Sequence, residues 1–157
     1  MKKHVSFDKY WGDFWPTPEQ LQPYFLAKKG QEWFYTGGND TAGLSAEGLY
    51  GTEGLEKYKE RVDVRLSMWG NPQHGVYLQY QKFGGGRREA FASKGDLGRL
   101  NEYLKSLHGD PLPIAVFIPF PEAWKAVKEF IQRDGELPTS IAWIANKDLP
   151  PNTFPDQ

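Results

Sequence analysis

The chain has 157 residues, the usual size of one domain, and 39% of them are hydrophobic and 15% aromatic, which is enough to build a core of its own. Its formal net charge of −1 argues against a protein whose whole surface binds nucleic acid or anionic lipid. It contains no cysteine, which excludes disulfides, thiolate catalysis and cysteine-based metal centres. We expect a single domain over residues 1–157.

Neither a secretion signal nor a membrane span is predicted. The N-terminal residues MKKHVSFDKYWGDFW have lysines but lack the apolar segment of a secretion signal. No apolar run approaches the ~20 residues that a membrane helix needs. We therefore expect a cytoplasmic protein.

The first third of the chain predicts one helix, one strand and one long loop. Thr17, Pro18 and Gln20 supply a capping box and a proline at the start of a helix over 16–29, which Pro23 should break or kink. The aromatic residues 31–36 predict a strand.

Residues 37–55 carry six glycines and no sustained period. They predict a long Gly-rich loop, and a loop of that length in a compact domain is usually functional or disordered. A binding surface and a mobile surface excursion are both open for this segment.

The middle of the chain predicts an antiparallel meander. Residues 61–68 and 76–83 alternate between apolar and polar, and the turns NPQHG and GGG lead into and out of the second run. Residues 87–93 complete three strands with one solvent-facing side.

The last third adds helices and two more strands. Leu97, Leu100, Leu104 and Leu107 recur at helical spacing, which predicts a helix over 94–109. The apolar run 111–119 predicts a buried strand.

A second helix begins at Pro121 and ends at Gly135, residues 140–144 predict a strand, and 145–157 predict an extended tail. Together the elements give an α+β fold with a largely antiparallel sheet of about five or six strands and two or three helices.

No catalytic constellation or metal site stands out. The three histidines, His4, His74 and His108, lack ligand spacing. The glycines of FGGGRR join two predicted strands, whereas a phosphate loop leads into a helix. We predict no cofactor, no metal and no enzymatic activity. Lys82, Arg87 and Arg88 at the 80–88 hairpin fit either a small nucleic-acid patch or a solvated strand edge.

Several segments, taken in order, resemble the first numbered immunity-protein family of bacterial polymorphic toxin systems. They are GNPQHGVYLQY (70–80), SKGD (93–96), LHGDPLPIAVFIPF (107–120), AWKAVKEF (123–130), DGELPTSIAWI (134–144) and DLPPNTFPD (148–156). The match is strongest over residues 60–156, and the first 55 residues match only loosely.

This resemblance implies an α+β fold and a protein that binds and neutralises a cognate secreted toxin domain, with nucleic-acid deaminases among the toxins so paired. The matching glycines, prolines and aromatics are interpreted as scaffold. The alternatives are a small nucleic-acid-binding module that uses the 80–88 hairpin, and an enzyme assembled from scattered residues.

The toxin-binding surface is predicted on the 37–55 loop. Acidic side chains there would face a basic toxin groove, and aromatic residues are enriched at binding hot spots. The predicted contact residues are Trp33, Tyr35, Asp40, Glu47, Tyr50, Glu53 and Trp69. Two alternatives stay open: Trp33 and Tyr35 as ordinary core residues, and docking on the helix face of Lys125 and Lys128. No membrane or direct nucleic-acid partner is expected.

Overall fold

The computed structural model describes residues 1–35 and 40–154 and has an α+β architecture. Its described strands, numbered in chain order, are β1 (Lys2–Phe7), β2 (Tyr10–Gly12), β3 (Thr41–Leu49), β4 (Val62–Asn71), β5 (Gly75–Gly84), β6 (Arg87–Ser93), β7 (Tyr103–Lys105), β8 (Pro111–Pro113), β9 (Phe117–Ile118) and β10 (Trp143–Ala145). The main sheet runs β10-β6-β5-β4-β3-β1-β2, with β9 paired to β5 off this path. β7 and β8 form a separate ladder.

The predicted fold class is confirmed, and the sheet is larger than five or six strands. All eight strand pairings of the described residues are antiparallel. The predicted meander at 61–93 corresponds to β4, β5 and β6, with turns at the expected positions. The additional strands come from the N-terminal residues and from the segment predicted as a loop.

Two α-helices cover one face of the sheet. The first, α1 (Pro18–Phe25), has the predicted capping box: Thr17 N–H donates to Gln20 Oε1 at 2.9 Å and Gln20 N–H to Thr17 Oγ1 at 3.3 Å. Pro23 lies inside this helix, which ends two residues later.

The second helix, α2 (Phe120–Gln132), turns its predicted apolar side to the sheet. Its fully buried residues there include Ala123, Val127 and Phe130. They pack on the inward side chains of β4 and β5, such as Leu66 and Tyr80, which are also completely buried. The main core therefore lies between the helices and this sheet face.

The strand predicted at 31–36 is wrong for the described residues. Residues 31–35 are irregular, and Trp33 has a left-handed φ of 58°. The Trp33 N–H donates to Tyr24 O at 2.8 Å, and its ring lies against the Cα of Gly70. A Cβ at Gly70 would collide with that ring, so the glycine makes room for the indole. Trp33 therefore packs as a buried side chain and not as part of a strand.

The long Gly-rich loop predicted at 37–55 is also wrong for most of its length. Residues 37–39 lie outside the described residues, 41–49 form β3, and only 50–55 are turns. β3 is bonded on both sides, to β1 and β4. Its alternation is carried by small residues, Ala42 and Ala46 around Leu44, which makes it difficult to recognise from composition.

The predicted helix at 94–109 is reduced to one 3₁₀ turn, Leu97–Arg99, which the Asp96 carboxylate caps at 3.0 Å. The chain then extends as β7 because it pairs with β8. The predicted strand at 111–119 splits into β8, a 3₁₀ turn at Ile114–Val116 and β9. Both segments pack against each other in a second, smaller core.

The C-terminal elements differ in detail from the prediction. The strand expected at 140–144 is β10, which covers only Trp143–Ala145. The expected extended tail contains a 3₁₀ turn at Asn146–Asp148 and further turns, with Leu149 and Thr153 buried. Phe154 stacks on Tyr77 of β5 at 5.6 Å, and 155–157 lie outside the described residues. The tail is therefore packed against the sheet.

Candidate functional site

The two predicted binding aromatics before β3 are core residues. Trp33 is 5% exposed, and its indole N–H donates to Asp40 O at 3.2 Å. Tyr35 stacks on Phe7 with the ring centroids 5.7 Å apart, and its hydroxyl donates to Thr41 O at 2.9 Å. Burial raises the pKa of Tyr35 well above its ordinary value. Of the two interpretations left open by the sequence, the structure favours core packing.

Asp40 and Trp69 also have structural partners. The Asp40 carboxylate accepts the Leu107 N–H at 2.8 Å and so connects the start of β3 to the turn after β7. Trp69 stacks on Tyr77, with ring centroids 4.8 Å apart and planes at 14°. Tyr77 is in turn covered by Phe154 of the tail.

The other acidic candidates are paired within the chain and lie apart from Asp40. Glu47 lies 3.7 Å from Arg61, and Glu53 is 2.7 Å from the N-terminal ammonium of Met1. Asp40 and Glu47 are at opposite ends of β3, on the order of 20 Å apart at ~3.3 Å per residue. The predicted acidic triad is therefore not one continuous surface.

Tyr50 belongs to a polar network at the edge of the main core. Its hydroxyl donates to Glu136 and accepts from Lys82 Nζ at 2.7 Å, while Lys82 also lies 3.0 Å from Glu136. Burial alone would lower the pKa of Lys82, but these two hydrogen bonds raise it overall. The Lys82 side chain is only 5% exposed, so the network holds a buried charge in place.

The sheet face opposite the helices carries a different candidate surface. We call this face of the sheet the open face. The register of β3, β4 and β5 places Ser45, Arg65 and Gln81 side by side on it. One half is covered by the tail and by β8, whose Leu112 packs near Tyr77. In the other half, nothing among residues 1–35 and 40–154 packs over Arg65, which is exposed on the middle strand of the sheet.

Three hollows join along the open face. The largest, about 330 Å³, shares Arg65 with a second of about 240 Å³ and Gln81 with a third of about 170 Å³. Ser67 belongs to both smaller ones. The floor of the second is made of small residues, Gly43 and Ser45 among them. The result is one continuous trough across β1, β3, β4 and β5.

Cations and aromatics surround the largest hollow, which we call the Arg65 groove. Its lining residues are Tyr58, Arg65, Gln81, Phe83, Gly84, Arg87, Arg88, Glu89 and Ala90. Tyr58, 73% exposed, stacks on Phe83 with ring centroids 6.1 Å apart. Exposed aromatic and arginine side chains together are typical of a binding surface.

A second concavity, of about 760 Å³, lies where the N-terminal end of α2 meets β9 and the segment before β10. We call it the motif cavity, because segments that carry the family resemblance meet there. Its polar lining includes His74, Lys94, Asp96, Arg99 and Glu122.

The motif glycines at this cavity have a packing role. A Cβ at Gly75 would collide with Ile118 O, and one at Gly95 with Phe117 O. This supports the interpretation of those motif glycines as scaffold.

The structure also gives the surroundings of the FGGGRR glycines and of His4. Gly84 ends β5, and Gly85 and Gly86 form the turn into β6, so the glycines of FGGGRR do not lead into a helix. His4 lies 3.3 Å from Asp13. Among the described residues, no group of three or more His, Asp or Glu side chains is placed to hold a metal ion. None of the described helices is both long and apolar enough to cross a membrane.

Sequence reasoning did not single out Arg65. In the sequence it is one polar position of an alternating strand, and its exposure in the trough depends on the small residues of the neighbouring β3. No family model, curated protein or solved structure matches the chain.

Proposed function

We propose that the protein is an immunity protein that neutralises a cognate toxin domain by stoichiometric binding, and that the uncovered half of the open face is the binding surface. The observation that carries the proposal is the exposed Arg65 at the centre of a continuous trough on a hydrogen-bonded sheet. A surface built on paired strands is preorganised, which lowers the ordering cost of tight binding.

The sequence resemblance supports the same class of function. It implies an inhibitor that works by binding. Binding alone, without catalysis, accounts for the polar residues of the open face. The proposed surface differs from the 37–55 loop, because most of that segment is a central strand whose acidic residues are paired within the chain. A role against the producing cell's own toxin places the protein in the cytoplasm.

Co-expression with a toxin domain encoded by a neighbouring gene tests the proposal. We expect growth to be restored and a 1:1 complex to form. Ser67→Trp should fill the trough between two of the hollows and weaken binding at least tenfold. Lys29→Trp in the exposed turn after α1 is the matched control and should bind normally. Continued killing of cells that contain the folded wild-type protein would contradict the immunity proposal for this pair.

A second candidate, a nucleic-acid-binding module, is favoured by one observation: Arg87 and Arg88 lie at the β5–β6 hairpin beside the Tyr58–Phe83 stack. Aromatic stacking platforms with nearby cations are typical of single-strand binding. Salt-sensitive binding of random oligonucleotides that is lost in Arg87→Ala/Arg88→Ala would support this candidate.

A further inference from the structure

We infer that the partner presents an acidic segment to the Arg65 groove. The positive charge would then lie on this protein and the negative charge on the toxin, which is the reverse of the arrangement predicted from the sequence. This inference rests on the proposed function for the identity of the partner. The chemistry of the surface itself, an arginine cluster that takes carboxylates, is argued from the structure.

The arginines of the chain divide into two groups. Three are paired with carboxylates: Arg61 with Asp63 at 2.9 Å, Arg99 with Glu102 at 2.9 Å and Arg133 with Glu129 at 3.0 Å.

The other three, Arg65, Arg87 and Arg88, all line the Arg65 groove, and none forms an ion pair within the described part of the chain. Glu89 is the one acidic residue of that lining. The three arginines without an ion pair in the described chain therefore all lie around the Arg65 groove.

The position of Arg65 suits recognition of a carboxylate. Its neighbours across the strands are Ser45 and Gln81, which are uncharged and leave the guanidinium accessible. A guanidinium binds a carboxylate through two parallel hydrogen bonds, which gives orientation as well as strength. The stacked Tyr58 and Phe83 supply apolar area at the side of the groove. An extended segment can continue from there along the trough floored by Gly43.

The distribution of charge favours an acidic peptide over a nucleic acid. A strand of nucleic acid is bound through a track of cations that follows its phosphates. Here the three arginines without an ion pair line the Arg65 groove, and beyond the shared Arg65 the adjoining hollow is lined by serines, Gly43, Leu44 and His4. The chain carries a net charge of −1, so no wider positive field attracts a polyanion. A segment with a few localised carboxylates matches this pattern better.

The first experiment measures the surface without any toxin. A fluorescein-labelled decapeptide of alternating Glu and Ser, and a single-stranded DNA decamer, are titrated by fluorescence anisotropy at low salt. The proteins are the wild type, Arg65→Glu/Arg88→Glu, and a control with the same charge change, Lys29→Glu/Lys147→Glu. Both control lysines are exposed, and neither has an ion pair among the described residues. Circular dichroism and thermal melts check the fold of each variant.

We expect the peptide to bind the wild type, to bind Arg65→Glu/Arg88→Glu at least tenfold more weakly, and to bind the control within twofold of the wild type. Binding should weaken as salt increases. Equal peptide binding by all three proteins, or no peptide binding by the wild type, would overturn the inference. So would DNA binding that is tighter than peptide binding and equally sensitive to the arginine substitutions.

The second experiment separates this inference from the proposed function. The same three proteins are mixed with a catalytically inactive form of the neighbouring toxin domain, and complex formation is measured by calorimetry. Loss of binding in the arginine variant alone supports both ideas. Equal binding by all three proteins keeps the immunity function and overturns the acidic contact. Peptide binding without any toxin binding by the wild type overturns the proposed function and leaves the acidic-segment surface in place.

Discussion

The two faces of the sheet differ in what their side chains contact. On the helix-covered face, β4 presents Leu66 and Met68, which are completely buried under the helices. On the open face, the same strand presents Arg65 and Ser67 to a trough that nothing in the described chain fills. Alternation within β4 thus assigns Leu66 and Met68 to the core and leaves Arg65 and Ser67 facing the trough. The predictions below test that division, beginning with the largest expected effect.

Leu66→Ala should lower the free energy of unfolding by about 2–5 kcal/mol. The side chain has no exposed surface, and its removal leaves a cavity between the sheet and the helices. Urea denaturation followed by circular dichroism measures the change. A loss below about 1 kcal/mol would mean that the helices pack loosely on this face.

Glu136→Ala should lower the free energy of unfolding by about 1.5–3 kcal/mol, because it removes the carboxylate that accepts a hydrogen bond from the buried Lys82. Tyr50→Phe keeps the ring and removes one hydroxyl of the network, so it should lower stability by only about 1 kcal/mol. Urea denaturation of both variants checks the order. A larger loss in Tyr50→Phe than in Glu136→Ala would assign the central role to the hydroxyl.

Stability should fall as the pH is lowered through the acid range. Burial alone would raise the pKa of Glu136, but hydrogen bonds from Tyr50 and Lys82 lower it below its ordinary 4.5. A carboxyl group whose pKa is lowered by folding stabilises the native state above its unfolded pKa, and this contribution is lost as the pH falls through the folded pKa. Denaturation midpoints between pH 3 and 7 measure the effect.

Glu136→Gln provides the matched control, because it removes the titrating group at similar size. The loss of stability below pH 4.5 should be smaller in this variant than in the wild type. Identical pH profiles for the two proteins would show that Glu136 is not held by the network in solution.

Arg65→Ala should change the free energy of unfolding by no more than about 0.5 kcal/mol, the smallest effect of the series. The residue is the sequence neighbour of Leu66, but it is exposed and has no ion pair within the described residues. The same urea titration checks it. A loss comparable to that of Leu66→Ala would mean that the open face also holds the fold together.

Patterns that depend on local chemistry could be predicted from the sequence. The capping box of Thr17 and Gln20 forms because its two hydrogen bonds join residues three apart. The apolar side of α2 and the alternation of β4 and β5 are set by the periods of helix and strand, which each segment carries by itself. These parts gave the fold class correctly.

The candidate site could not be predicted in the same way. The residues chosen for it were selected as acids and aromatics near a supposed loop. In the fold Trp33 is buried, Tyr35 packs against the core and Asp40 holds the turn after β7. Arg65 became a candidate only when the register placed Ser45 on one side of it and Gln81 on the other. No local pattern records which strands are neighbours.

By itself, the sequence determined where α1, α2 and the central meander lie, because caps, turns and periodicity act between residues close in the chain. Tertiary structure decided the rest. Residues 41–49 became a strand because β1 and β4 bond to both of their edges, and 103–105 became one because β8 is available to pair with them. The leucines at 97–107 have helical spacing, but 103–105 form a strand because they pair with 111–113, so the backbone groups there are satisfied between two strands and not within a helix.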